Sequence, residues 1–311
     1  MSDSLSESAL DAAVDASELD LTPPSAFQLD YIAPPLDLSD YVTTFYHFRC
    51  DEAVIRDIQP AAIGHLTFFM RGKGEMHFAD GRRDPSNLVN LLTPFSRAAP
   101  FEVEGPFHSI GAALSPLGWS ALTGLHAGEH GNRLYPAGLW LGEEITELGV
   151  KVCAAYNSGA MGGQDCVDAL SEFIRATLRP VNSRHRELIR QVNRWVGEAI
   201  DPDVGTLMER VAYSERQTQR LTEQYFGLPP RALARKYRAL RAATLLSLPM
   251  LSDEMEAQIG EAFYDQPHMI REIRVFAGRT PARLSDEENP FLAEMLDTKN
   301  LREIGMPDGE G

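Results

Sequence analysis

SERQTQRLTEQYFG, residues 214–227, and DQPHMIREIRVFAG, residues 265–278, are two copies of one pattern set 51 residues apart. Each follows a short helical run and a turn. Leu207, Met208 and Val211 precede Ala212-Tyr213 in the first copy; Met255, Ile259 and Ala262 precede Phe263-Tyr264 in the second. At this offset Tyr213 matches Tyr264, Arg220 matches Arg271, Tyr225 matches Phe276, Gly227 matches Gly278 and Pro230 matches Pro281. A fixed period of this kind means one supersecondary unit used twice.

Every match has a local use. Ser214 can cap the second helix of the first unit, with Gln217 reaching back to complete a capping box. Asp265 caps the equivalent helix in the second unit. Pro267 falls in its first turn, where a missing N–H costs little. Gly227 and Gly278 can take the left-handed conformation that ends a helix, and Pro230 and Pro281 forbid its continuation. Two short helices joined by a tight turn, the second with a polar first turn, have the helix-turn-helix geometry. Between the copies PPRALARKYRALRAATLLSL, residues 229–248, reads as one helix. Its ~20 residues span ~30 Å, close to the ~34 Å between major-groove faces one turn apart on B-DNA. One chain can then set both second helices on one face of a duplex, helped by bending of the DNA.

The charge is unevenly spread. The chain of 311 residues carries a net −16, yet residues 184–284 hold 16 Arg and Lys against 13 Asp and Glu. Residues 1–183 hold 11 against 24, and residues 285–311 hold 2 against 8. A basic segment inside an acidic chain is the asymmetry of a domain that meets phosphate. The length predicts two domains. Six acids and no base before Pro23 exclude a basic n-region, no apolar stretch approaches a membrane span, and Cys50, Cys153 and Cys166 form neither a disulfide ladder nor a metal knuckle. The expectation is a cytoplasmic protein with three reduced, inert thiols and no membrane partner.

The expected order is a disordered acidic tail at 1–25, a sensor or dimerisation domain at 26–183, the double helix-turn-helix domain at 184–284 and an acidic tail at 285–311. In the N-terminal domain YVTTFYHF, AIGHLTFFM, GEMHF, LVNLL and FHSIGAAL read as strands, with Ala79-Asp80-Gly81 as a hairpin turn. Helices are expected at Glu143–Tyr156 and Asp165–Leu178, and HRELIRQVNRWVGEAI carries Leu188, Val192, Trp195, Val196 and Ile200 at helical spacing. The fold class is therefore α+β. A small β-barrel or sandwich with helices comes first, and an all-α domain follows.

The C-terminal segment resembles the DNA-binding domain of AraC/XylS-type regulators over roughly Ile200 to Leu284. The first-unit pattern falls on Ser214, Arg220, Gly227 and Pro230, and the linker-helix pattern on Arg238, Ala242 and Leu245-Leu246. FYDQPHMIREIRVFAGRTP matches the most diagnostic stretch. Thr218 and Thr222 depart from the usual Leu and Phe, and Ala262 replaces a usual Gly. GPFHSIGAALSPLGWSALTGL, from Gly105 to Leu125, is similar to the end of the cupin-like sensor barrel in one subgroup. The metal-binding spacing of catalytic cupins is absent, and His47, His65, His77 and His108 stand singly in or near strands. The resemblance implies a transcription factor, usually an activator, whose N-terminal region senses a ligand or mediates dimerisation. It implies double-stranded DNA, RNA polymerase, a small-molecule effector and a second copy of the chain as partners.

Candidate base readers are Arg216, Gln217, Gln219 and Arg220 on the first recognition helix, and Gln266, His268, Arg271 and Arg274 on the second. Arg suits guanine O6 and N7, and Gln suits adenine. Arg231, Arg235 and Lys236 are candidates for phosphate. The competing reading is a solvated face or salt bridges within the domain, Arg271 with an acid in particular. Phe101, Phe107, Trp119 and Trp140 are candidates for an effector pocket, against the plainer reading of core aromatics. No nucleophile elbow, phosphate loop or supported Ser/His/Asp arrangement occurs, so no enzyme, catalytic residue, cofactor or metal is expected. Two alternatives stand beside the ligand-responsive regulator. One is a regulator whose N-terminal domain makes only protein contacts; the other is a cupin-like enzyme fused to a helical domain, which the missing metal triad disfavours.

Overall fold

The computed structural model describes residues 21–248 and 250–280. The expected tail over 285–311, the first 20 residues and Pro281 lie outside that range. Strands come first: β1 Phe27–Ile32, β2 Val42–Cys50, β3 Val54–Gln59, β4 Gly64–His77, β5 Arg83–Pro85, β6 Val89–Leu92, β7 Ala99–Leu114 and β8 Leu134–Pro136. They form one sheet in the order β1-β2-β7-β4-β6-β8, with β3 also on β7 and β5 also on β4. All pairings are antiparallel. The expected barrel does not close, because β1 and β8 end the order unpaired with each other among the described residues.

The sheet is organised by its two longest strands, which pair from Gly64↔Leu114 to Met76↔Phe101. AIGHLTFFM and GEMHF, expected as two strands, are the two halves of β4. The register slips between Phe69 and Lys73, and Gly72 supplies φ +77° at the slip. A side chain at Gly72 would meet Glu104 O at 2.7 Å, so the crossing depends on glycine. The hairpin at Ala79-Asp80-Gly81 forms as expected, with Gly81 at φ +84°. β1 and β3 were not anticipated. Both are six-residue strands, and β1 is an edge strand covered on neither face completely. Thr22, inside the expected disordered tail, bonds Arg56 of β3 in both directions at 3.0 and 2.9 Å, so that end of the tail is tied to the sheet.

Helices α1 Pro116–Thr123, α2 Gly138–Leu141, α3 Glu143–Asn157 and α4 Gly163–Thr177 follow. They bury Trp119, Leu122, Ile145, Val152, Val167, Leu170 and Ile174 against Phe45, Leu66, Phe68 and Ile110 of the sheet. Burial of a side chain of this size contributes on the order of 1.5–3 kcal/mol. All three cysteines are buried and free, and burial pushes the thiols of Cys153 and Cys166 up to about 11. Such thiols are almost wholly protonated at neutral pH and are poor nucleophiles.

The chain then becomes wholly helical: α5 Ser183–Gly197, α6 Val204–Arg210, α7 Glu215–Phe226, α8 Pro230–Leu246, α9 Asp253–Ala262 and α10 Gln266–Ala277. Their shared core takes Leu188, Val192, Trp195, Leu207, Leu221, Tyr225, Leu240, Ile259, Ile273 and Phe276. Trp195 is fully buried and its indole N–H donates to Asp203 O at 2.6 Å, fixing α5 to the start of α6. Arg241 of α8 donates to Val196 O and Ala199 O at the end of α5. A cation there satisfies carbonyls that the helix leaves open. Ala61 and Leu117, from the strand-rich region, belong to this second core, so the two regions are packed together.

Candidate nucleic-acid interface

Both repeat copies fold as helix–turn–helix. In the first, Asp203 caps α6 by accepting from Thr206 N at 2.7 Å, and residues 211–214 make the turn. Ser214 caps α7, and Gln217 Oε1 accepts from Ser214 N at 3.3 Å, closing the capping box read in the sequence. Gly227 ends the helix at φ +83°. In the second, Ser252 caps α9, Phe263 to Asp265 make the turn, and Asp265 Oδ1 accepts from His268 N at 2.7 Å. Pro267 sits in the first turn of α10 and Gly278 ends it at φ +80°. Helix α8 joins the units. Its 17 residues span ~25 Å, shorter than the sequence suggested.

The inward faces differ between the units. Thr218 and Thr222 are completely buried in the first. Thr218 Oγ1 returns its hydrogen bond to Ser214 O at 3.1 Å, whereas Thr222 Oγ1 is buried without a partner. The corresponding residues of the second unit, Met269 and Ile273, are apolar and belong to or border the core. Tyr213 is half-buried beside His185, while its counterpart Tyr264 is 93% exposed.

The outward faces carry the candidate readers. Arg216 and Arg220 are exposed on α7, one helical turn apart. Gln217 and Gln219 are exposed too, but Gln217 is engaged in the capping box and Gln219 Nε2 donates to Glu215 Oε1 at 3.3 Å. On α10 Gln266 and Arg271 are exposed, and Arg274 is half-buried in the last turn. His268 turns toward its own domain, with Nε2 3.2 Å from Glu272 Oε1.

Glu272 is the part of this surface that sequence reading missed. Its carboxylate is 2% exposed and meets Arg235 at 2.8 Å and Arg238 at 2.7 Å as well as His268. Arg238 also reaches Asp201 at 3.1 Å and lies over the Phe263 ring at 5.0 Å. One buried acid therefore ties the linker helix to α10, and among the described residues salt bridges within the domain form on Glu272 rather than on Arg271. The only sequence signal was an acid on the inward face of an otherwise apolar helix, where a charge is retained only if paired.

The phosphate candidates separate likewise. Arg231 is exposed, and Arg235 is held by Glu272 but remains partly open. Lys236 corrects the expectation. It is 3% exposed and its ammonium donates to Phe95 O at 3.0 Å and Ala62 O at 3.3 Å, so it cannot reach a phosphate in this arrangement. It faces inward because α8 packs on the strand-rich region on that side.

A second feature lies inside the strand-rich region, a cavity of about 190 Å³. Phe101 and Phe107 line it as expected, together with Phe48, Phe69 and Leu240 of α8. Trp119 and Trp140 do not. Trp119 is completely buried in the sheet–helix core and donates to Leu125 O at 3.2 Å. Trp140 packs edge-on against His130 and Tyr135, with ring centroids 5.0 and 5.7 Å away. Polar lining groups outside the expected pocket set are Tyr46, Thr67 and His65, the last named in the sequence only as a single histidine near a strand. Tyr46 Oη lies 2.7 Å from Thr67 Oγ1 and 3.3 Å from His65 Nδ1. Burial pushes the Tyr46 phenol up to about 12 and the His65 imidazole down to about 4, so both are neutral at physiological pH. His47 and His108 instead share the Tyr156 hydroxyl, at 3.0 and 2.7 Å, and His77 pairs with Glu75 at 2.7 Å.

Among the described residues no group of three or more His, Cys, Asp or Glu is placed to hold a metal, and no helix is long and apolar enough to cross a membrane.

Neither the models of protein families nor the curated proteins give a match to this chain. Solved structures similar to it include ToxT from Vibrio cholerae, at 8% identity and TM-score 0.43, covering 83% of this chain and 97% of that one. Wild-type ToxT with bound unsaturated fatty acid, from Vibrio cholerae strain SCE256, gives 9% identity and TM-score 0.42 over 86% of this chain and 98% of that one. The AraC-like transcriptional activator CuxR gives 13% identity and TM-score 0.27 over 70% and 86%.

Proposed function

We propose that this chain is a sequence-specific DNA-binding transcription regulator of the AraC/XylS type, responsive to a small molecule held in its N-terminal domain. The observation that carries the reading is the repeat itself, folded as two capped helix-turn-helix units. Each recognition helix keeps exposed Arg and Gln side chains on or near its first turns. Arg216, Arg220, Gln266 and Arg271 are the proposed base readers, with Arg231 and Arg235 toward phosphate. Gln217, Gln219 and His268 must first give up the bonds they make within the protein.

The cavity favours ligand sensing over a purely protein-binding N-terminal domain. Its wall is shared with the DNA-binding helices. Ala61 and Ala62 line it, Ala61 N donates to Phe276 O of α10 at 2.8 Å, and Ala62 O accepts from Lys236 of α8. An occupant would therefore press on residues that hold both helices. RNA polymerase and a second copy of the chain are further partners that the family resemblance implies.

The test is selection of duplexes from a random pool by the full chain, repeated with Arg220→Ala and Arg271→Ala. Enrichment of one motif, with each substitution relaxing preference at separate positions by ~1–3 kcal/mol, supports the reading. A pool that stays random after repeated selection contradicts it.

A further inference from the structure

We infer that the cavity takes an uncharged, largely apolar molecule that is anchored by a hydroxyl or carbonyl group at Tyr46. The inference rests on the ligand-sensing part of the function proposed above. The walls are contributed by Phe48, Phe69, Phe101, Phe107, Met76 and Leu134, which offer apolar contact and ring faces. Polar groups gather at one place, where the Tyr46 and Thr67 hydroxyls and the His65 imidazole meet within 3.3 Å. Tyr46 and His65 keep part of their surface uncovered, and both line the cavity. Gln59 lines it too, and its Nε2 is buried without a hydrogen-bond partner, which leaves the lining one bond short.

Charge decides the class of ligand. No Lys or Arg is among the described residues that line the cavity. Glu75, the one acid among those described residues, is already paired with His77 at 2.7 Å and Arg83 at 3.0 Å. A carboxylate or phosphate entering here would shed its hydration and find no opposite charge among these residues, and an ammonium would find only a carboxylate that Arg83 and His77 already hold. A hydroxyl group meets no such penalty. It can donate and accept at once, so it fits whichever way the shared protons of Tyr46 and Thr67 point. The volume sets the size. An apolar cavity of ~150 Å³ takes benzene, so about 190 Å³ suits a substituted single ring or a medium-chain alcohol.

The experiment is titration calorimetry of the full chain at neutral pH with para-butylbenzyl alcohol, para-butylbenzoate and para-butylbenzylamine, which share one body and differ in charge. The alcohol is expected to bind saturably and at least ~10-fold more tightly than either ion, because only the ions lose hydration without a counter-charge. Tyr46→Phe should weaken the alcohol by ~5–10-fold, the worth of one hydrogen bond, and leave para-butyltoluene unchanged. A benzoate or amine that binds as well as the alcohol, or an alcohol that does not bind, overturns the inference. The wild-type series decides this even if Tyr46→Phe fails to fold. Affinity for duplex DNA in the same preparation separates the two claims. DNA binding without alcohol binding overturns the ligand class alone, and alcohol binding without DNA binding supports it while overturning the regulator.

Discussion

Arg279, the residue after the glycine that ends α10, forms an ion pair with Asp57 of β3, and both side chains are at least 98% buried. Around it Ala61 N donates to Phe276 O at 2.8 Å and Ala98 N to Val275 O at 2.9 Å. On the first unit, Ala127 N donates to Gln224 O of α7 at 2.8 Å. The trailing ends of α7 and α10 are thus fastened to the strand-rich region. Their relative orientation is set by that region as well as by the linker helix.

Removal of one partner from a buried ion pair leaves an uncompensated charge. Arg279→Ala or Asp57→Ala should cost ~3–5 kcal/mol. The combined Asp57→Leu, Arg279→Met variant should lose much less, because neither charge remains to be buried. Urea unfolding of the full chain measures all three. Single variants with wild-type midpoints would show that the pair contributes nothing to the junction.

The two helix-ending glycines should respond unequally. Gly227 and Gly278 both sit at positive φ, +83° and +80°. A Cβ on Gly227 meets nothing closer than 3.6 Å, so Gly227→Ala should cost only the ~1–2 kcal/mol of left-handed backbone. A Cβ on Gly278 would stand 2.3 Å from Ile58 Cγ2 and 3.1 Å from Ala98 Cβ. Gly278→Ala should therefore also displace α10 from the sheet. Limited proteolysis checks this, with faster cleavage at the junction expected for Gly278→Ala alone; identical cleavage of both variants would exclude displacement.

Glu272→Gln tests the hub beneath α10. The substitution leaves Arg235, Arg238 and His268 facing a neutral amide, and should cost on the order of 3 kcal/mol. The same change releases His268 toward solvent. Urea unfolding of the full chain measures the loss. A variant with the wild-type midpoint would show that the hub contributes nothing to holding α8 against α10.

Stability should fall in mild acid. Desolvation pushes His47 and His65 from 6.5 down to about 4 in the folded chain, with Arg49 adding to the effect at His47. The unfolded chain binds these protons first as pH drops. The contribution is therefore complete above 6.5, is lost between 6.5 and about 4, and is flat below. It amounts to at most ~3 kcal/mol for each histidine. Urea midpoints at neutral and mildly acidic pH, in wild type and in a His47→Asn, His65→Asn variant, measure it. An equal acid loss in both would place the effect elsewhere.

Local signals made the helix-turn-helix half legible and left the interior of the sheet half obscure. Ser214, Asp265, Gly227 and Gly278 cap or end helices where the sequence said they would, because caps depend on neighbours three or four residues away. The roles of Glu272 and Lys236 depend on partners elsewhere in the chain, two arginines 34–37 residues away for Glu272 and carbonyls 141–174 away for Lys236. Trp119 and Trp140 fit a pocket or a plain core equally in composition, and only topology tells which they join. The polar cluster of Tyr46, His65 and Thr67 was invisible for the same reason: β2 and β4 come together only across β7.

The most direct test of the central claim is the affinity of the full chain for a selected duplex and for its scrambled counterpart, at several salt concentrations. The account predicts binding that weakens steeply with salt as phosphate contacts release counterions. It also predicts a preference of ~10³-fold or more for the selected duplex. A folded chain that binds neither duplex at low salt, or binds both equally, would contradict it.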